Sequence, residues 1–239
     1  MESKLKLGEK NISRLHVVID FEKEPKIREK AFEIEKRVKD IFPMPVSVAP
    51  ISDEEQEDTI RFVLSGPNCK CLFSQIRFNY IVDIDEDRGK NIEAMYAEIE
   101  RNTSRVFSVL KEVIGKNIKR MGIICNLTVP LQEGESAINY VLNTFFKFQV
   151  TLTGLAFQLA REIDDEFNLN IFVRAQKTVT ESARDILFVT VDINDYLDQL
   201  KRNVSFYQTE EINRVFSFEK QYIKETLNDI LENRFKLES

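Results

Sequence analysis

The stretch Tyr80-Ile81-Val82-Asp83-Ile84-Asp85-Glu86-Asp87 alternates apolar and polar residues, ends in acids and hands the chain to a long amphipathic segment. Alternation with period two predicts a half-buried strand, and the 3.6-residue periodicity that follows predicts a helix. The same junction recurs at Thr190-Val191-Asp192-Ile193-Asn194-Asp195. A strand-to-helix junction used twice constrains the chain to two similar α+β halves.

The remaining elements fit that division. Leu15 to Phe21 reads as a strand, and Ile27, Ala31, Ile34, Val38 and Ile41 form one face of a helix between Pro25 and Phe42. Pro43 and Pro45 end that helix, and Val46 to Ile51 reads as a short edge strand, since proline cannot donate to a ladder. Ser52 to Asp58 is an acidic loop, Ile60 to Leu64 a strand, and Cys71 to Asp85 one long strand. On that strand Leu72, Ile76, Phe78, Tyr80, Val82 and Ile84 are expected to face the core, with Gln75, Arg77, Asn79, Asp83 and Asp85 opposite. A helix over Asn91 to Ile114 is closed by Gly115. The second half repeats the order: a strand over Arg120 to Val129, a helix over Glu135 to Phe146, strands over Thr151 to Ile163, Leu169 to Gln176 and Asp185 to Ile193, and a helix over Thr209 to Phe235.

An offset of about 109 residues aligns the halves, with Val46 to Ile51 on Leu155 to Ala160 and Val82-Asp83-Ile84-Asp85 on Val191-Asp192-Ile193-Asn194. The expected fold is α+β: a curved antiparallel sheet of about 7–8 strands packed by four helices, in two pseudo-twofold β-α-β-β-β-α halves. The halves are residues 1–116 and 117–239, packed as a single body. This architecture resembles the saddle of the TATA-binding-protein class or a helix-grip fold, a likeness of shape only.

Composition narrows the function classes. A net charge of -6 argues against a broad nucleic-acid-binding surface, which needs a basic face. No apolar run approaches the roughly 20 residues that span a bilayer, and Met1 to Lys6 lacks the apolar core of a signal peptide, so a cytoplasmic protein without a membrane partner is expected. Three cysteines, Cys69, Cys71 and Cys125, are then expected as reduced thiols; Cys69-x-Cys71 has neither redox nor zinc spacing.

At Ile118-Lys119-Arg120-Met121-Gly122-Ile123-Ile124-Cys125-Asn126-Leu127 the chain resembles a sporadically distributed prokaryotic family of uncharacterised proteins of about this length. That family shows a long helix, then a strand carrying an arginine, a glycine and an asparagine, matched here by Arg120, Gly122 and Asn126. The resemblance continues at Leu187 to Tyr196, a strand ending in Asp-x-Asn before the final helix, where Phe216 matches a recurrent aromatic. It spans roughly Phe78 to the C-terminus, and Tyr96 meets the early aromatic positions only loosely. The resemblance implies a shape and carries no catalytic set.

The residues suited to a site are strand arginines and strand-end acids. Asp83, Asp85 and Asp87 alternate and would concentrate negative charge for a hard cation, yet Arg88 and Ala94 stand where an EF-hand needs Gly and Glu. The plainer role for these acids, and for Asp192 and Asn194, is capping the helix that follows. Arg77, Arg120 and Arg174 lie within strands, where a charge must face water, a carboxylate or a ligand. With Asn79 they form the candidate set for an anionic ligand or an acidic partner on an open sheet face. His16 is the one histidine and reads as an ordinary strand residue; GxGxxG, Walker A, HExxH and nucleophile-elbow patterns are absent from the sequence. Most of the 18 Phe belong to the core, with Phe145, Phe146, Phe148 and Phe157 clustered near the second short helix, where some could line a groove or a dimer seam.

No catalytic residues, metal or cofactor are therefore expected. The reading is a non-enzymatic interaction module acting as a homodimer with a protein partner. The alternative is a small-ligand-binding or hydrolytic domain with a pocket between sheet and helices.

Overall fold

The computed structural model describes residues 12–85, 92–130, 136–143, 154–163, 167–176, 186–194 and 209–231. Its strands are β1 (Ile12–Phe21), β2 (Ser47–Val48), β3 (Phe62–Gly66), β4 (Cys69–Phe73), β5 (Arg77–Asp83), β6 (Ile118–Pro130), β7 (Gly154–Ile163), β8 (Phe167–Gln176) and β9 (Ile186–Asn194). Its helices are α1 (Ala31–Arg37), α2 (Ile92–Val113), α3 (Ala137–Val141) and α4 (Thr209–Leu231). The fold is α+β, and none of its described helices is long and apolar enough to cross a membrane.

All nine strands join one antiparallel sheet in the order β2-β3-β4-β5-β1-β6-β9-β8-β7. The order reads nearly the same from both ends. β1 and β6 pair at the centre, β5 and β9 flank them, and β4 and β3 on one side answer β8 and β7 on the other. Each half thus runs β-α-β-β-β-α, the pseudo-twofold arrangement expected. The first half adds β2 at its edge, so β7 corresponds to β3, and the alignment of Val46–Ile51 with Leu155–Ala160 does not hold.

Nine strands replace the expected 7–8 for a local reason. Cys71 to Asp85 is a hairpin, β4 and β5, with Phe73 paired to Phe78. The Ser74 N–H donates to the Arg77 carbonyl at 2.8 Å and the Gln75 N–H to the Glu57 carbonyl at 3.0 Å. The Gln75 side chain donates to the carbonyls of Pro25 and Asp53 at 3.0 and 2.9 Å. The turn has no Gly, Pro or Asn, because tertiary contacts hold it. Beyond the turn Phe78, Tyr80 and Val82 face inward as expected. Before it the phase reverses, so Cys71 and Phe73 are buried, Leu72 points outward and Gln75 is fully buried.

The helices also shift. A 3₁₀ turn over Ile27–Lys30 precedes α1, which stops at Arg37, although Ile27, Ala31, Ile34 and Val38 keep the expected buried face. α2 ends as predicted: Gly115 takes φ 64°, and the Leu110 carbonyl accepts from the N–H of both Ile114 and Gly115. α3 starts at Ser136, whose hydroxyl accepts from the Asn139 N–H, and Phe145, Phe146 and Phe148 lie outside the described residues.

Alternate strand residues Leu15, Val17 and Ile19, Met121, Ile123 and Cys125, and Leu169, Ile171 and Val173 are at most 1 % exposed. They form one core with the inner faces of the helices. Tyr96 of α2 meets Phe216 of α4 edge-on at 6.3 Å, and Ser104 donates to Asn213 at 3.0 Å between the same helices. The helices therefore share one side of the sheet; on the other, most outward residues of the central strands stay half-buried or exposed, while Ile81, Gly122 and Asn194 are buried.

Candidate functional site

The helix-free face of the sheet carries the candidate residues. At one end Asp20 of β1 lies in register with Arg77 of β5 and Arg120 of β6. The Arg77 Nε donates to Asp20 at 2.5 Å, and the Arg120 Nη2 lies 2.9 Å from the second carboxylate oxygen. A carboxylate shared between two guanidinium groups fixes both planes, and the two arginine side chains remain 40 % exposed. The Asp20 hydrogen bond raises the Arg77 pKa and holds it firmly charged.

The next rungs are hydrogen-bonded to one another. Asp192 accepts from Asn194 and Asn170 at 3.3 and 3.4 Å. Burial raises its pKa, while the hydrogen bond from Asn194 and the Arg120 charge oppose the shift. Asn194 lies across Gly122 in register, and a Cβ there would stand 2.8 Å from the Asn194 Cβ. The Thr190 hydroxyl donates to Asn126 at 2.8 Å. Arg120, Gly122, Asn126, Asp192 and Asn194 thus converge on one patch.

Farther along, Phe172 of β8 and Phe188 of β9 are each 41 % exposed. Arg174 stands opposite Phe188 in register, and Thr190 opposite Phe172. Together with Ala156 of β7 these residues line a shallow trough of about 500 Å³.

Other expected residues are dispersed. Asn79 is half-buried on β5 between Val18 and Leu72, with its Oδ1 buried and unpartnered. Asp83 ends β5 in an exposed ion pair with Arg14, and Asp85 accepts from Asn68 at 3.1 Å. The two acids hold different partners, Asp87 lies outside the described residues, and among the described residues no acid, His or Cys group could hold a metal ion.

Sequence reading missed Asp20, Asn170, Phe172 and Phe188 as members of this face. Parity carried the signal: Phe172 is in phase with Asn170 and Arg174, and Phe188 with Thr190 and Asp192, so aromatics share the polar side of their strands. Arg61 was missed as well. It is fully buried, and its guanidinium donates to the Glu55 and Gln56 carbonyls of the acidic loop at 2.9 and 3.2 Å.

His16 is half-buried on the same face, with Asn126 Nδ2 3.5 Å from its Nε2. Burial, reinforced by the nearby Arg14 charge, pushes its pKa down to about 4 against the opposing pull of Asp83. Since the folded value lies below the unfolded one, stability is complete above the unfolded value of 6.5 and falls as pH drops toward 4. Discounted for partial solvation, the loss is roughly 1–2 kcal/mol. Denaturant midpoints measured from pH 7 to pH 4 should fall, and His16→Gln should flatten that slope.

The fold and face define an α+β protein with one side of its antiparallel sheet clad in helices and the other bearing a built polar and aromatic surface. Compared with family models and with curated proteins, the sequence matches none.

Proposed function

We propose that this chain is a non-enzymatic protein-interaction module that acts as a homodimer and holds a partner protein on the helix-free face of its sheet. The observation that carries the reading is the pairing, on one face, of a fixed arginine pair at Asp20 with two exposed phenylalanines beside Arg174. Aromatic and arginine side chains dominate binding energy at protein interfaces, and partners already locked by their neighbours lose less entropy when they bind. Among the described residues, one void between sheet and helices, lined by Ile19, Phe21, Phe107, Leu110, Ile114 and Ile118, is about 20 Å³, room for one water, and Arg77, Arg120 and Asp20 converge on the opposite side of the sheet.

The test is co-purification of a partner from the native host by the wild-type chain, Arg120→Glu and Phe188→Ala, with circular dichroism to establish folding. Retention by the wild type and a loss of at least about tenfold in both folded variants is expected, because each removes a central anchor. Equal retention by all three would remove the open face from the interaction.

A further inference from the structure

We propose that the open face reads an extended segment of its protein partner at two points, an acidic side chain held between Arg77 and Arg120 and an apolar side chain about six to eight residues away in the trough at Phe172 and Phe188. The proposal rests on the protein-interaction reading and names the chemistry of the partner.

The acidic end follows from the balance of charge at Asp20. That carboxylate is 18 % exposed, against 40 % for each arginine side chain, so the two guanidinium groups stand outermost. Arg77 gives Asp20 its Nε and Nη2, and Arg120 its Nη2. A guanidinium carries more N–H donors than these contacts use, so both groups keep donors for a second oxyanion. Among the described residues Asp20 is the carboxylate within ion-pair distance of either, and two positive charges meet one negative. Asp58 acts on Arg77, and Asp192 on Arg120, only at longer range. On a chain whose net charge is -6, this local excess selects a carboxylate from the partner.

The apolar end is the trough of about 500 Å³, where Phe172, Phe188, Ala156 and Val173 suit an aromatic or aliphatic side chain. Sheet register sets the distance between the ends. Phe172 is level with Thr190 and Thr190 with Asn126, so this side of the trough lies as far along the sheet as Asn126 lies from Arg120 on β6. At roughly 3.4 Å per residue that is about 20 Å, and the sideways step to β8 makes it about 22 Å. Phe188 is level with Thr128, about 27 Å along β6 from Arg120. An extended segment covers these distances in about six and about eight residues. Its alternate side chains point the same way, so the acid and the apolar residue stand an even number apart. The floor between them asks little of the residues that cross it. Gly122 has no side chain, and Asn126, Thr190, Asn170, Asp192 and Asn194 are occupied with hydrogen bonds inside the face. Recognition therefore sits at the two ends.

The probes are fluorescent synthetic peptides in a Ser/Thr background that carry one Glu and one Phe at separations from four to nine residues, in both chain orders. Their anisotropy is followed against the full chain. Binding should be strongest at separations of six and eight and at least about tenfold weaker at seven. Arg120→Gln should weaken the best peptide at least about fivefold and leave the same peptide with Gln in place of Glu unchanged. Phe172→Ser should weaken it likewise and leave the peptide with Ser in place of Phe unchanged, both variants keeping the wild-type circular dichroism spectrum. Binding that ignores separation, or that shows neither coupling, would overturn the two-point reading. If no peptide binds while Arg120→Glu and Phe188→Ala still abolish partner capture, the motif falls and the interaction module stands; if capture is indifferent to both, the two fall together. Retention of a single-stranded oligonucleotide in place of the peptides would overturn the choice of a protein segment. A dimer of the chain that dissociates in Arg120→Gln and Phe172→Ser would put a second copy on the face and overturn it as well.

Discussion

Phe216→Ala should lower the stability of the protein by about 3–5 kcal/mol, the usual loss when a buried phenylalanine is truncated. Phe216 is fully buried on α4 and presents its ring edge-on to Tyr96, itself fully buried on α2. These are the long helices of the two halves, and their packing closes the core over the centre of the sheet. Truncation removes apolar area and opens a cavity where the surrounding strands cannot collapse, because β6 and β9 are held in register along nine residue pairs. A typical domain has only about 5–15 kcal/mol of stability, so this one ring accounts for a large share of it. Thermal unfolding should show a midpoint lower by on the order of 10 °C. Phe216→Leu should recover much of the loss; equal damage from both would indicate that ring geometry matters more than volume.

Gly122→Ala is the second large effect, and its sign is not obvious. Glycine within a strand costs about 0.5–1 kcal/mol relative to alanine, so the substitution would help where space allows. Here it does not. The added methyl would sit 2.8 Å from the Asn194 Cβ and 3.0 Å from the Ile193 carbonyl oxygen. Neither is the movable end of a flexible side chain, so β6 and β9 must separate. Overpacking of this kind costs about 1–3 kcal/mol and should outweigh the entropic gain. Chemical denaturation should show a net loss. Asn194→Gly added to Gly122→Ala removes the closer contact and should restore part of it; a neutral or stabilised single variant would show that the strands part freely. The same displacement would shift Arg120 and Asn194, so partner capture should weaken beyond what the stability loss explains.

These two residues also mark how far the sequence could be read. Phe216 stands in the apolar stripe of its helix, so its burial follows from spacing alone. Gly122 is visible as a glycine within a strand, which signals a close approach, but the approaching residue is not. Asn194 is far along the chain and reaches Gly122 only through the register of β6 with β9. The Asp20 cluster has the same character. Arg77 and Arg120 were legible as costly strand charges, but Asp20, at a sequence separation of 57 from Arg77, joins them only because β1 lies between β5 and β6.

The hairpin at Ser74–Ile76 was illegible for a related reason. Gln75 turns the chain without turn chemistry of its own, because carbonyls from Pro25 and Asp53 hold its side chain. The sequence by itself determined the halves, the helix faces and the inward rows of the central strands, since burial of one face imposes periods of 2 and 3.6 on the residues. Only the tertiary structure decided the strand order, the extra turn and the assembly of the arginine, asparagine and phenylalanine surface. Those depend on contacts between residues distant in the chain, and local periodicity carries no record of which strand lies beside which.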